Sequence, residues 1–150
     1  MMDDVAALAW LEGIATHCRL VTSVCTGSLI LGAAGLLKGY RATSHLSSID
    51  QLALLGATPV DQRVVRDRNR ITGAGVTSGI DFALNVVAEL AGETTAREIQ
   101  LQIEYDPEPP FDSGSPRSAA APLLTSMRER LAAFLSRRRH ATENAAKRLN

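Results

Sequence analysis

Residues 19–37 have the sequence RLVTSVCTGSLILGAAGLL, and this stretch decides the fold. It begins with a short β-rich run, Arg19 to Val24, which predicts a strand. Ser28 to Leu37 is apolar and rich in small residues, and it predicts a helix that packs closely on a neighbouring strand and ends at Gly39. Cys25 lies between the two elements. We therefore expect a tight strand-to-helix turn that raises the Cys25 thiol above the sheet edge, as in a nucleophile elbow.

Two roles for Cys25 are compatible with this spacing. The positive end of the following helix would favour the thiolate, and the backbone N–H of Thr26 would face a developing anion as part of an oxyanion hole. The alternative is a buried structural cysteine, which is how most free cysteines behave. Spacing alone does not separate the two roles.

The rest of the chain alternates strands and helices, which predicts an α/β fold with crossover connections. Asp3 or Asp4 is expected to cap a helix before the cysteine strand. Thr77 or Ser78 is expected to cap another, with Asp81 completing a capping box. Further helices are predicted at 47–55, 79–91, 94–103 and 119–135, and further strands at 40–45, 60–65 and 70–72.

Residues 1–136 are predicted to form one domain, because 150 residues with 45% hydrophobic content support a single core. Residues 104–116 are expected to be extended and rich in proline, and residues 137–150 to be a solvated basic tail. Met127, Leu131 and Leu135 lie at helical spacing, which indicates packing residues or a dimer interface.

Charge and cysteine content narrow the class of partner. The formal net charge is zero, so the composition favours a small-molecule partner over nucleic acid or a membrane surface. The longest apolar stretch, residues 29–37, is far shorter than the roughly 20 residues of a membrane span. The acidic N-terminus is unlike a signal peptide, so we expect a cytoplasmic protein in which Cys18 and Cys25 stay unbridged. His17, His45 and His140 have no metal-ligand spacing, and neither a metal nor another cofactor is expected.

Several motifs in order resemble one known superfamily. SVCTGS at 23–28, LGAAGLL at 31–37, GYRAT at 39–43, RITGAGVTSGID at 70–81 and EYDPEPPF at 104–111 are similar to segments of ThiJ/PfpI proteins, which have the class I glutamine amidotransferase-like fold. The similarity extends from about residue 3 to 135, and within the superfamily it is greatest to the isocyanide hydratases. It implies a flavodoxin-like sandwich with a mostly parallel central sheet and helices on both faces.

The resemblance also implies a chemistry. Cys25 would attack the terminal carbon of an isocyanide, water would resolve the thioimidate to an N-substituted formamide, and the nitrogen would need a proton donor. Such an enzyme is a lyase, and its relatives are commonly homodimers. Thr26 carries over as the second catalytic residue. The expected substrate-binding residues are Gly27, His45, Gly75, Val76 and Thr77.

His45 has two interpretations. It is either the partner of Cys25 in a Cys–His pair, as in superfamily members with hydrolase activity, or a polar residue at a strand end. Many relatives have an aromatic residue directly after this histidine, whereas this chain has Leu46, which suggests a reshaped pocket.

One departure from the pattern bears on activity. Family members begin with further strands that supply an acidic residue and a glycine-rich half of the oxyanion hole, and we expect this chain to start after them, as an N-terminally truncated form or through a start codon placed inside a longer gene. The alternatives to a hydratase are another cysteine hydrolase or amidase of the superfamily, a ligand-sensing domain like that of AraC-type regulators, and a non-catalytic protein in which Cys25 is oxidised.

Overall fold

The computed structural model describes residues 1–149 and alternates helices with short strands along the chain. Asn150, the last residue of the predicted tail, lies outside the described residues. The elements in order are α1 (Val5–Ala15), β1 (Val21–Val24), α2 (Gly27–Ala33), β2 (Arg41–Ala42), the 3₁₀ helix η1 (Ile49–Leu55), β3 (Thr58–Pro59), β4 (Val64–Asp67), β5 (Arg70–Gly73), α3 (Ser78–Ala91), α4 (Glu93–Gln102) and α5 (Ala121–Leu149).

The strands form two small sheets. In the larger sheet the order is β1-β5-β4, with β1 parallel to β5 and β4 antiparallel to β5. β2 and β3 form a parallel pair. α2 packs on β1 and α3 packs on β5. The predicted α/β class is therefore confirmed. The strand predicted at 60–65 is displaced, because β4 occupies Val64–Asp67 and forms a hairpin with β5 whose turn contains Arg68 with a φ of 52°.

The core lies between α1, β1, α2, η1 and the end of α5. Leu29, Leu37, Leu52 and Leu55 are its largest buried side chains. A Cβ added at Gly32 would lie 2.7 Å from Leu55 Cδ1, so a glycine is needed where η1 crosses α2. The small residues of α2 were expected to admit a strand. At Gly32 they admit a second helix instead.

The predicted end of α2 at Gly39 is wrong. The helix ends at Ala33, and Gly35 follows with a φ of +73°. Leu36 N donates to Leu31 O at 2.9 Å and Gly35 N donates to Gly32 O at 2.9 Å, which is the hydrogen-bond pattern of a Schellman motif. Gly35 can adopt this left-handed conformation at little cost, so it ends the helix earlier than expected.

The predicted capping box at the start of α3 is also wrong. Thr77 occupies the N-cap position without a side-chain cap, and Ser78 Oγ donates to Gly75 O at 2.6 Å. The Asp81 carboxylate binds Arg63 instead, with Arg63 Nε at 2.9 Å, and accepts a hydrogen bond from Tyr105 at 3.1 Å. Asp81 therefore joins α3 to the segment before β4 and to the segment after α4.

The expected solvated tail is wrong for residues 137–149. These residues continue α5, and Thr142 and Ala145 are fully buried. Thr142 Oγ1 donates to Gln51 Oε1 at 2.7 Å, and Arg139 pairs with Asp50 at 3.0 Å, which attaches the helix to η1. The domain boundary at residue 136 stays a prediction. Across residues 1–149, every helix is too short or too polar to cross a lipid bilayer.

Candidate active site

Cys25 occupies the strand-to-helix turn that the sequence predicts. Its φ is 59°, an unusual value for a residue with a side chain, and its N–H donates to Gly73 O at 2.9 Å. Two residues later α2 begins, with Thr26 at its N-cap position. The Cys25 thiol is half-buried and forms no disulfide. The Cys18 thiol is exposed and is also free. Strained backbone of this kind costs about 1–3 kcal/mol and is concentrated at functional sites.

Serine hydroxyl groups form hydrogen bonds that attach this turn and the start of α2 to the segment after β2. Ser44 Oγ donates to Cys25 O at 2.9 Å, which joins the segment after β2 to the turn. Ser28 Oγ donates to Thr43 O at 2.7 Å and lies 2.9 Å from Ser23 Oγ. Sequence reasoning missed these residues. The signal that could have found them is the pair of serines on either side of the VCTG motif.

Thr26 and Gly27 follow the cysteine directly. Thr26 is half-buried, and a Cβ added at Gly27 would lie 3.5 Å from Ser23 Cβ, so α2 starts close to β1. The position of both residues matches the expectation. Their roles in substrate binding or catalysis stay predictions.

His45 and Gly75 lie close together. A Cβ placed on Gly75 would lie 3.7 Å from His45 Cδ2. His45 Nδ1 lies 2.7 Å from Ser47 Oγ and accepts a hydrogen bond from Ser47 N at 3.2 Å. Burial lowers the pKa of His45, and the positive charge of Arg138 on α5 lowers this pKa further. The imidazole is therefore neutral at neutral pH.

Gly75, Val76 and Thr77 form the tight turn from β5 into α3. Ser78 N donates to Gly75 O at 3.0 Å, and Gly79 N donates to Val76 O at 3.1 Å. The Val76 side chain is 80% exposed, so its predicted contact with a substrate needs a ligand that reaches the surface of the turn. Gly75 and Thr77 line a cleft.

This cleft has a volume of about 430 Å³. Its walls come from the segments after β2, before β4 and after β5, and from the proline-rich segment. The lining residues include Ser44, Leu46, Ile49, Arg63, Ala74, Gly75, Thr77, Pro109, Phe111, Pro116 and Arg117. Leu46 therefore does shape a pocket wall. Cys25 and His45 do not line the cleft themselves. Of the residues that line the cleft, Ser44 donates a hydrogen bond to Cys25 O and Gly75 lies beside His45.

The remaining titratable candidates lie apart from this site. His17 and His140 are exposed. Within residues 1–149, no group of three or more His, Cys, Asp or Glu side chains is arranged to hold a metal ion.

The sequence profile of the DJ-1/PfpI family matches residues 1–89. The chain belongs to the DJ-1/PfpI family. The match includes the cysteine turn, β5 and the turn at Gly75, so the residues around Cys25 all lie in the family region. The structural resemblance inferred from the cysteine motif is thereby confirmed at the level of the family.

Individual relatives agree with the family assignment. The chain is 53% identical over 150 residues to the isonitrile hydratase of Pseudomonas putida, of which it covers 66%. A crystal structure of a ThiJ/PfpI family protein from Pseudomonas syringae superposes with a TM-score of 0.89 at 52% identity, over 97% of this chain and 58% of that one. The transcriptional regulator CdhR of Pseudomonas aeruginosa is 33% identical over 99 residues, which are 65% of this chain and 30% of the regulator. The chain thus spans about two thirds or less of these relatives.

Proposed function

We propose that this chain carries the nucleophile and part of the substrate cleft of an isocyanide hydratase. The observation that carries the proposal is the position of Cys25, at a positive φ in a strand-to-helix turn, within a chain 53% identical along its whole length to an isonitrile hydratase. The strained turn supports a nucleophile over a structural cysteine, because a buried cysteine with only a packing role does not need it.

In the proposed reaction the Cys25 thiolate forms a C–S bond to the terminal carbon of R–N≡C. That carbon takes up a proton, which gives the thioimidate R–N=CH–S. Water then adds to the C=N carbon and the nitrogen takes up a proton. Loss of the hydroxyl proton of this adduct breaks the C–S bond, releases R–NH–CHO and returns the thiolate. The two protons gained by carbon and nitrogen equal the two lost by water, so the net reaction is the addition of one water.

The surroundings of Cys25 support this sequence of steps. The N–H of Thr26 follows the nucleophile directly, which is the position of an oxyanion-hole donor in nucleophile elbows. The neighbouring cleft of about 430 Å³ is not lined by Cys25 but is linked to it by the hydrogen bond from Ser44 Oγ to Cys25 O. Its size suits a small molecule, and its apolar wall of Leu46, Ile49 and Phe111 suits a hydrocarbon R group. We propose Gly27, Gly75, Val76 and Thr77 as residues around the substrate.

The proposal extends to assembly and compartment. Leu131 and Phe134 on α5 are exposed, and they support a homodimer in which this face of the helix is covered. Two free thiols support the cytoplasm, where thiols remain reduced. Sedimentation at several protein concentrations tests the dimer directly.

The test of function is formamide production from a simple alkyl isocyanide. Cys25→Ser should abolish turnover, and Cys18→Ser, which changes an exposed thiol remote from the turn, should retain it. Mass spectrometry after brief treatment with iodoacetamide reports which thiol reacts. Turnover by the Cys25→Ser protein at the parent rate would refute the nucleophile assignment.

The second candidate is a ligand-sensing domain, which the similarity to the regulator CdhR favours. In that case the cleft would bind a small molecule without turnover. Saturable binding of an isocyanide or formamide, together with the absence of product and of a covalent adduct on Cys25, would support the sensor.

A further inference from the structure

Arg138 on α5 extends from the helix to the segment after β2. Its Nη1 donates to Ser47 Oγ at 3.3 Å and also to Ser48 Oγ. The guanidinium carbon lies 4.5 Å from the centre of the Phe134 ring, one helical turn earlier. The Arg138 side chain is therefore held against the Phe134 ring, and its Nη1 group faces the two serines.

The hydrogen bonds around His45 define which ring nitrogen carries the proton. A backbone N–H can only donate, so the 3.2 Å bond from Ser47 N requires His45 Nδ1 to be an acceptor. Ser47 Oγ accepts from Arg138, which leaves the proton of this hydroxyl free to be donated to Nδ1 at 2.7 Å. Both donors favour the same tautomer.

We infer that Arg138 and Ser47 are positioning residues that hold His45 as the neutral Nε2–H tautomer, so that the imidazole serves the site as a hydrogen-bond donor and not as the base for Cys25. In this tautomer Nδ1 is the one nitrogen able to accept a proton, and Ser47 occupies it. Cδ2, the ring atom bonded to Nε2, lies on the side of Gly75, a residue that lines the cleft.

The charges around the ring agree with a neutral donor. Arg138 is the charged group that acts on His45, and it opposes an imidazolium. Asp50 on η1 is paired with Arg139, and Asp61 of the neighbouring cleft is paired with Arg117. Arg138 itself forms no ion pair with any carboxylate within residues 1–149, so its charge is not neutralised locally.

The first experiment reads the tautomer without any need for turnover. The two nitrogens of a neutral imidazole have well-separated ¹⁵N shifts, so a long-range ¹H–¹⁵N spectrum of the labelled full chain reports which one is protonated. His17 and His140 are exposed and serve as internal references. The Nε2–H form of His45 should exceed the Nδ1–H form by about tenfold, since each hydrogen bond to Nδ1 favours it severalfold.

Variants test the part played by each residue. Ser47→Ala should reduce the tautomer ratio severalfold, and Arg138→Gln should shift the titration midpoint of His45 upward, with Arg138→Lys retaining much of the parent behaviour. Arg139→Gln is the matched control, because it removes a neighbouring arginine that pairs with Asp50 and Glu143. A main Nδ1–H form in the parent would overturn the inference, as would a midpoint that responds equally to Arg138→Gln and Arg139→Gln.

The second experiment separates a donor from a base. The role of His45 in catalysis rests on the proposed hydratase function, but the rate of Cys25 alkylation by iodoacetamide does not. If His45 were the base, His45→Gln would raise the pH at which Cys25 reacts. We expect an unchanged profile, and a raised one would refute the donor role even if the chain proved inactive on isocyanides.

Discussion

The hydroxyl network beneath the cysteine turn gives a prediction with its own control. Thr72 Oγ1 accepts a hydrogen bond from Thr43 N at 2.9 Å, and both residues are fully buried. Thr72→Val keeps the shape of the side chain but leaves the Thr43 N–H without an acceptor. An unsatisfied buried donor costs about 1–3 kcal/mol, so the free energy of unfolding should fall by this amount.

The control is Thr43→Val, the same substitution at the residue on the other side of that bond. Within the described residues, Thr43 Oγ1 is buried and has no hydrogen-bond partner. Removing a hydroxyl that makes no bond relieves its desolvation cost, so this variant should be as stable as the parent or more stable. The two variants therefore make the same exchange of a hydroxyl for a methyl group, and only Thr72→Val should be destabilised.

Thermal unfolding followed by circular dichroism measures the difference. For a chain of this length, a change of 1 kcal/mol shifts the midpoint by about 2–4 °C, so Thr72→Val should lower it by about 2–12 °C. Urea titration should give a lower midpoint with an unchanged slope. Equal losses in the two variants would show that the hydrogen bond from Thr43 N contributes nothing, and the reasoning would be refuted.

Three further predictions concern packing, pH and the cleft wall. Gly32→Ala, which puts a Cβ against η1, should cost about 1–3 kcal/mol, while Gly13→Ala in α1, with nothing nearby, should gain about 0.5–1 kcal/mol in denaturant titrations. Because the pKa of His45 is lowered on folding, the unfolded chain binds the proton first as pH falls. The contribution of this group to stability is therefore full above about pH 6.5 and is lost below it. Below about pH 6.5 the unfolding midpoint of the parent should fall more steeply than that of His45→Gln, and parallel curves for the two proteins would contradict the prediction. The exposed Arg117–Asp61 ion pair, 2.6 Å long, joins the end of the proline-rich segment to the segment before β4. Arg117→Gln should therefore leave the unfolding midpoint nearly unchanged but speed proteolysis within residues 106–116. Equal digestion rates for variant and parent would show that the ion pair does not hold this segment.

Local patterns predicted the cysteine turn and most elements near it. The strand, Cys25 and the small residues of α2 are adjacent in the chain, so their geometry depends on neighbours that the sequence displays together. The end of α2 was misplaced because Gly35 and Gly39 both have positive φ values, and local sequence does not tell which one ends the helix. The five motifs in order were enough to predict the family.

Contacts between distant residues could not be predicted in this way. Ser44 reaches Cys25 across 19 residues, and Arg138 reaches Ser47 across 91. Residues 137–149 looked like a solvated tail because their arginines dominate the composition, yet the buried face of Thr142 and Ala145 decides where they lie. The burial of residues 137–149 depends on their packing against η1 and α2. The number of charged residues in this segment does not predict that packing.

The length of α5 has a mechanical consequence. Its 29 residues span about 43 Å at 1.5 Å per residue, more than the diameter of a small domain. The C-terminal end is anchored in the core by Thr142 and Ala145, whereas Phe134, nearer the middle, is 49% exposed. We therefore expect a tilt about the buried C-terminal half to displace the N-terminal end of α5 the most. Amide exchange should accordingly be faster near residue 121 than near residue 145, because Arg138, Arg139, Thr142 and Ala145 all attach the C-terminal half of the helix.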